Sequence, residues 1–381
     1  DENTKVELLL QIDRHFSPIR EKLGQRYYEI LVDSVDKLNF EEPDFDFAKT
    51  FDSILYKLSA RQGKFSSEGI IPLEISKIAT SSFLYKISEE AIVYNPFAGT
   101  STFGVLLNNI GSYFGQESNP ITWSIGVLRL LAHNKIENYD FRNEDSIHLL
   151  LNSVSKTEKI FDLIIAAPPF GLRVVDSFHN FNGTETCESL LIKGGLNLLK
   201  KDGKLVVLVS NSFLYNPIDK RTREYLIEND LLETIISFPG SILYNTNIQF
   251  SILVINNNKS IRNNLTLINA ESLVKKTETR QKVFNENGLI DILKNPSNSP
   301  FVRVVSNDHV ITNEFNLNIG RYLQEEIDGV EIGKIVEIIN GNKLDVTKGK
   351  LLKIRNLKDD VVDNQLSLDI VDEVIIPTNL N

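Results

Sequence analysis

The sequence predicts an α/β protein built on a doubly wound, mostly parallel sheet with helices on both faces. Three observations lead there. From residue 91 onward, short apolar runs alternate with amphipathic stretches of helical period. FDLIIAA, GKLVVLVS and FSILVINNN are apolar almost throughout, as strands buried on both faces are. Small or acidic residues follow the early runs, and in an open sheet of this type ligands bind beyond the carboxyl ends of the strands.

Ahead of the sheet, VELLLQIDRHFSPI, IREKLGQRYYEILVDSVDKL and FDFAKTFDSILYKLSARQ space apolar residues three and four apart, with Pro18 and Pro43 as breaks. Residues 1–62 therefore read as a helical domain used for packing. AIVYNPFAG is the first strand with its turn, and STFGVLLNNI the first crossover helix. GSYFGQE and YDFRNED are the second and third strands, separated by the helix ITWSIGVLRLLAHN. FDLIIAA is the fourth strand, ETCESLLIKGGLNLLKK a helix and GKLVVLVS the fifth strand. KRTREYLIEND is a helix, and LLETIISFP and FSILVINNN complete a seven-stranded, Rossmann-like sheet. The last two strands are joined by a short loop, GSILYNTNIQ, and should pair antiparallel at one edge. NNLTLINAESL offers one further strand, KKTETRQKVFNENGLIDILKN reads as a polar helix or linker, and a β-branched, lysine-rich pattern starts at Val330.

Composition excludes several classes. The chain has 381 residues, 41% of them hydrophobic and 24% charged, which suits a globular protein with a sizeable core. No apolar run reaches the roughly 18 residues of a membrane span. The first residues lack a basic start and a small-residue cleavage site, so a cytoplasmic protein is expected. A single cysteine, Cys187, rules out a disulfide framework and a CxxC knuckle, and no metal centre is expected. The net charge of −10 argues against a surface that grips nucleic acid all over, while leaving room for a local basic path.

The strand ends carry the chemistry. After the first strand stand Asn95, Pro96, Phe97, Ala98, Gly99, Thr100 and Ser101, a small-residue turn that lets a ligand approach the backbone. After the second stands Glu117, whose carboxylate can accept from both hydroxyls of a ribose. The third ends at Glu144 and Asp145, beside where an adenine ring edge would lie. Each acid alone is better read as a helix N-cap. Three successive ends of suitable type favour a nucleoside ligand.

The fourth strand ends in Ala167, Pro168, Pro169 and Phe170. FDLIIAAPPFG resembles the NPPF or DPPY box of amino-methyltransferases that use S-adenosylmethionine. NPFAGTSTF, GSYFGQESNPITWSIGVLRLLAHN, KDGKLVVLVSNSFLY, REYLIENDLLETIISFPGSILYNTNIQFSILVINN and FNLNIGRYL are similar to segments of the N6-adenine DNA methylase family, typified by the modification subunits of type I restriction systems. The likeness runs over residues 62–323 in family order. GKFSSEGIIPLEISKIA resembles the family's segment over the methionine part of the cofactor, and Pro72 falls where the family has Thr-Pro.

This resemblance implies a methyltransferase domain over residues 63–325, S-adenosylmethionine as cofactor and double-stranded DNA as substrate. It leaves open specificity and restriction subunits as partners, and an amino-methyltransferase acting on RNA or protein glutamine as an alternative. It also assigns work to the box. A flipped base stacks on Phe170, while the first side chain of the box and the Pro168 carbonyl accept from the amino group. Two prolines fix the direction of the backbone without requiring ladder hydrogen bonds.

Two positions depart from the pattern. Asn95 stands where the family usually has an acid, although an amide can still hydrogen-bond there. Ala167 stands where the family carries Asn, Asp or Ser, and a methyl group accepts nothing. The chain is therefore expected to be inactive. The intact surroundings favour a single disabling substitution, and a binding-only relative is the other reading. Finally, VEIGKIVEIINGNKL with LLKIRNLKDD resembles the opening of a type I specificity subunit's target-recognition domain, expected at residues 326–381. Lys343, Lys348, Lys350, Lys353 and Arg355 make that segment a candidate DNA contact. An exposed lysine-rich edge strand accounts for it equally well.

Overall fold

The computed structural model describes residues 46–61, 70–81, 84–86, 88–135, 137–155, 159–175, 184–243, 246–276, 282–296 and 299–323, together with four short strands beyond 345. The first two predicted helices lie outside the described residues. The chain divides into two compact units, Asp1–Gln324 and Glu325–Asn381.

In the first unit, α1 (Phe47–Arg61) and α2 (Leu73–Ala79) precede the sheet. Then follow β1 (Ile92–Asn95), α3 (Thr102–Leu106), β2 (Ser112–Gln116), α4 (Pro120–Ala132), β3 (Tyr139–Arg142), α5 (Ser146–Leu151) and β4 (Phe161–Ala166). A small hairpin, β5 (Arg173–Val175) with β6 (Thr184–Thr186), leads to α6 (Cys187–Leu198), β7 (Leu199–Ser210), α7 (Lys220–Glu228), β8 (Leu232–Phe238) and β9 (Phe250–Asn256). β10 (Asn264–Asn269), the hairpin of β11 (Val274–Lys276) and β12 (Lys282–Phe284), α8 (Glu286–Lys294), β13 (Val302–Ser306), α9 (Asn307–Thr312) and α10 (Gly320–Leu323) finish the unit.

The sheet order is β13-β10-β8-β9-β7-β4-β1-β2-β3. β3, β2, β1, β4 and β7 pair parallel, and β9 runs antiparallel between β7 and β8. Period-two alternation divides the core. Ile164, Ala166, Leu205, Val207 and Val209 face one cluster, shared with Leu191 and Leu198 of α6 and Leu226 of α7. Leu163, Ile165, Val206 and Leu208 face the other, shared with Ile75 and Ile78 of α2, Phe103 of α3 and Leu289 of α8. Sheet faces covered from both sides are why these strands are apolar throughout.

The expected seven strands are present, and three details differ from the sequence reading. The antiparallel pair β8–β9 is interior, because β10 joins β8 in parallel and β13 joins β10 antiparallel, making nine strands. β13 is a short edge strand with Val304 57% exposed, so its alternation is weak in the sequence. The polar stretch after β10 is a hairpin followed by α8. The first crossover helix is also shorter than expected. Leu107 is already extended (φ −70°, ψ 125°) and Asn109 is left-handed (φ 54°), so the chain turns towards β2.

In the second unit, β14 (Val346–Lys350) pairs antiparallel with β17 (Glu373–Pro377), and β15 (Leu357–Lys358) with β16 (Val361–Val362). Among the described residues no helix is long and apolar enough to cross a membrane.

Candidate active site

Parallel pairing puts the carboxyl ends of β1, β2, β3 and β4 on one rim. The chain reverses its winding direction between β1 and β4, which makes that gap the switch point. Both loops singled out in the sequence lie there.

The turn after β1 is tightly wound. Phe97, Gly99 and Ser101 are left-handed, at φ 53°, 57° and 54°. A non-glycine residue pays sterically for that conformation, so Phe97 and Ser101 must be held by their neighbours. The Phe97 N–H donates to the Ser146 hydroxyl at 3.0 Å, and the Ala98 N–H to the Gln116 carbonyl at 2.9 Å. Ser101 Oγ lies 2.9 Å from the Tyr113 hydroxyl, which in turn donates to Asn95 Oδ1 at 2.9 Å. Asn95 is fully buried, and its Nδ2 donates to the Ile165 carbonyl at 2.7 Å. An ionised acid has no proton for that carbonyl, which gives the amide at this departure a role of its own. It also ties the turn directly to the strand that carries the box.

Glu117 closes the turn from the β2 side. Its Oε2 accepts from the Gly99 N–H at 2.9 Å and its Oε1 from the Asn119 N–H at 2.8 Å. Burial pushes its pKa above the ordinary glutamate range, against the opposing pull of those backbone donors. Asp145 is exposed and caps α5 by accepting from the Ile147 N–H at 2.9 Å, so it performs the structural role while remaining at the rim. Gln116 links the strand ends, accepting from the Tyr94 hydroxyl at 2.5 Å and donating to Glu144 Oε2 at 2.9 Å. Beside Asp145 lies an open groove of about 600 Å³, lined by Phe114, Gln116, Glu144 and Phe161. A carboxylate held against a backbone turn fits a cofactor carrying a nucleoside. Pro72 is the buried N-cap of α2, which packs against α3, the helix leaving the turn.

The box leaves β4 with Pro168 buried, Pro169 exposed, and Ala167 and Phe170 partly buried against the core cluster of α2 and α3. Gly171 follows in the left-handed region (φ +64°) with open space where a side chain would be, so the backbone conformation, not crowding, selects glycine.

Three residues of the site were not picked out in the sequence. Glu188, in the first turn of α6, accepts from the Gly171 N–H through both oxygens at 3.1 Å and from the Ser210 hydroxyl at 3.2 Å. It is 1% exposed, and burial raises its pKa. Tyr113 and Gln116 also work through partners distant in sequence. An acid inside the apolar run CESLL was the one available signal for Glu188. Of the basic candidates, Lys348 and Lys350 lie on β14, whereas Lys343, Lys353 and Arg355 lie outside the described residues.

Residues 43–328 match the N-6 DNA Methylase family. The chain is 22% identical over 377 residues to the MpnII type I restriction enzyme methylase subunit of Mycoplasma pneumoniae, covering 90% of this chain and 68% of that one. It is 25% identical over 351 residues to the MjaVII methylase subunit of Methanocaldococcus jannaschii, covering 81% and 59%. The fold is that of the type I restriction-modification methyltransferase subunit from Streptococcus thermophilus, with a TM-score of 0.64 at 20% identity over 75% of this chain and 66% of that one. The cofactor of this family is S-adenosylmethionine, in keeping with the strand-end chemistry. Most of the chain lies within the matched residues, and the protein belongs to the N-6 DNA methylase family.

Proposed function

We propose that the chain is the methyltransferase part of a restriction-modification enzyme that acts on adenine N6 in duplex DNA, in a form disabled at Ala167. On this reading residues 63–325 are the catalytic domain, preceded by helices at 1–62 and followed from 326 by the start of a target-recognition domain. One observation supports it above all: the Asn95–Ile165 hydrogen bond locks the cofactor turn beside the box, so donor and acceptor sites share one rim. The activity and the specificity and restriction partners of full-length relatives are carried over as part of the proposal.

Methyl transfer to an exocyclic amine asks for positioning more than for covalent chemistry. When bound, the cofactor supplies an electrophilic methyl group on sulfur. Glu117 would take the ribose hydroxyls in place of the two N–H groups it now accepts, and the turn at residues 95–101 would meet the amino-acid end. Pro168 offers its carbonyl to one amino hydrogen of a flipped adenine, and Phe170 a ring for stacking. At position 167 a second acceptor would aim the nitrogen lone pair at the methyl group. Ala167 offers none.

A binding-only scaffold is the second reading, and Ala167 is the observation that favours it. The test is to make Ala167→Asn, supply cofactor with duplex DNA, RNA or a glutamine-containing protein, and identify the methylated product by mass spectrometry. N6-methyladenine from duplex DNA is expected. Product only from RNA or from glutamine would replace the substrate assignment, and no product from any of them, with partner subunits present, would favour the scaffold.

A further inference from the structure

Arg129 on α4 is fully buried, and none of the roles above uses it. Its guanidinium forks onto Asp52, with Nε donating to Oδ1 at 2.6 Å and Nη2 to Oδ2 at 3.0 Å. Nη2 also donates to the Tyr56 hydroxyl at 2.7 Å. Asp52 and Tyr56 stand four positions apart on α1 and so share one face of that helix. His133 Nε2 completes the surroundings, 3.2 Å from Asp52 Oδ2.

The other arm reaches the turn after β1. Nη1 donates to Thr102 Oγ1 at 2.7 Å, and reaches Thr100 Oγ1 at 3.4 Å and the Thr100 carbonyl at 3.5 Å. These residues flank Ser101 within the left-handed stretch. Gly126, one helical turn earlier on α4, brings the helix backbone against the same place. A Cβ there would stand 3.2 Å from the Thr100 carbonyl carbon and 2.7 Å from the Phe141 ring. A guanidinium is a rigid planar fork, so the Asp52 contact that fixes one edge also fixes where Nη1 points.

We infer that Arg129 is a positioning residue for the cofactor turn and that Asp52 on α1 holds it in place, which makes the N-terminal helix part of what shapes the cofactor site. This rests on reading residues 95–101 as the cofactor turn. Without Asp52, a buried cation has to seek other acceptors. Those left in reach are Tyr56 on α1 and Thr100 and Thr102 at the turn, and a guanidinium freed on its Asp52 edge shifts against the turn it touches.

The experiment is a calorimetric titration of S-adenosylmethionine into the full chain, run well below the melting temperature of each variant. Asp52→Ala should weaken binding by roughly fivefold or more, a typical size for coupling between sites. Thr102→Val keeps the Asp52 fork and removes the shortest of the guanidinium's contacts beside the turn, leaving the longer ones to Thr100, and it should weaken binding in the same direction. Asp162→Ala is the control: it breaks a more exposed ion pair, to Lys200 at 2.8 Å, and the hydrogen bond from the Ile92 N–H at 2.9 Å, at the starts of β4 and β1 and so at the opposite end of the strands from the turn. It should lower the melting temperature and leave affinity within about twofold. Unchanged affinity in Asp52→Ala overturns the inference, as does an equal loss in Asp162→Ala. If Asp52→Ala does not fold, Thr102→Val decides. A parent chain that binds no cofactor overturns the reading of the turn, and the inference with it.

Discussion

At the scale of single residues, Glu117 carries the sharpest expectation. Burial raises its pKa, so it takes up a proton at a higher pH than the roughly 4.3 of an unperturbed glutamate. The sign for stability follows: its contribution is fully present below the unfolded value and is lost as pH rises through the folded one. For the cofactor the sign is reversed, because only the ionised form accepts freely from both ribose hydroxyls. Cofactor affinity measured by calorimetry should therefore hold at neutral pH and begin to fall on acidification earlier than an ordinary glutamate would allow. Glu117→Gln should bind more weakly at neutral pH and lack that step. The same step in both proteins would show that another group titrates. Removing the carboxylate altogether, in Glu117→Ala, should cost about 1–3 kcal/mol of binding. Glu117 was legible in the sequence because its type and its place after a strand suffice to suggest a role. Glu188 was not, because its role is set by Gly171 and Ser210, which only the fold brings to it.

At the scale of elements, the parallel strands were legible because burial on both faces leaves continuous apolar runs. The edge was not. β13 pairs on one side only and exposes Val304, so neither apolar continuity nor clean alternation marks it. The expected edge position of β8 and β9 failed for the same reason, since the strands that extend the sheet beyond them carry the weaker signals. The packing of α4 on the cofactor turn was equally invisible, because Gly126 reads as an ordinary helix position until its neighbours are known. Gly126→Ala should drive a methyl group into Phe141 and the Thr100 backbone, destabilising the chain by about 1–3 kcal/mol by thermal or denaturant unfolding. A neutral effect would mean that α4 stands off the turn.

At the scale of the whole molecule, the proposed action on DNA requires a chain of net charge −10 to concentrate its phosphate contacts. The lysine-rich segment beyond residue 340 is the candidate. Replacing Lys350, Lys353 and Arg355 together should flatten the salt dependence of DNA binding by about 0.9 in the log–log slope for each phosphate that is no longer neutralised. An unaltered slope would assign that segment to solvent or to another protein. The central claim is that the site is complete except for one acceptor at position 167. It is tested most directly by measuring cofactor affinity and the single-turnover rate of tritiated methyl transfer in the parent and in Ala167→Asn, on DNA carrying the recognised site. Cofactor affinity should agree within about twofold, since the turn and Glu117 are untouched, while the rate should rise about 100- to 1000-fold, the usual worth of one oriented transition-state hydrogen bond. An Asn form that binds cofactor and DNA as well as the parent and still transfers nothing, with partner subunits present, would contradict the claim.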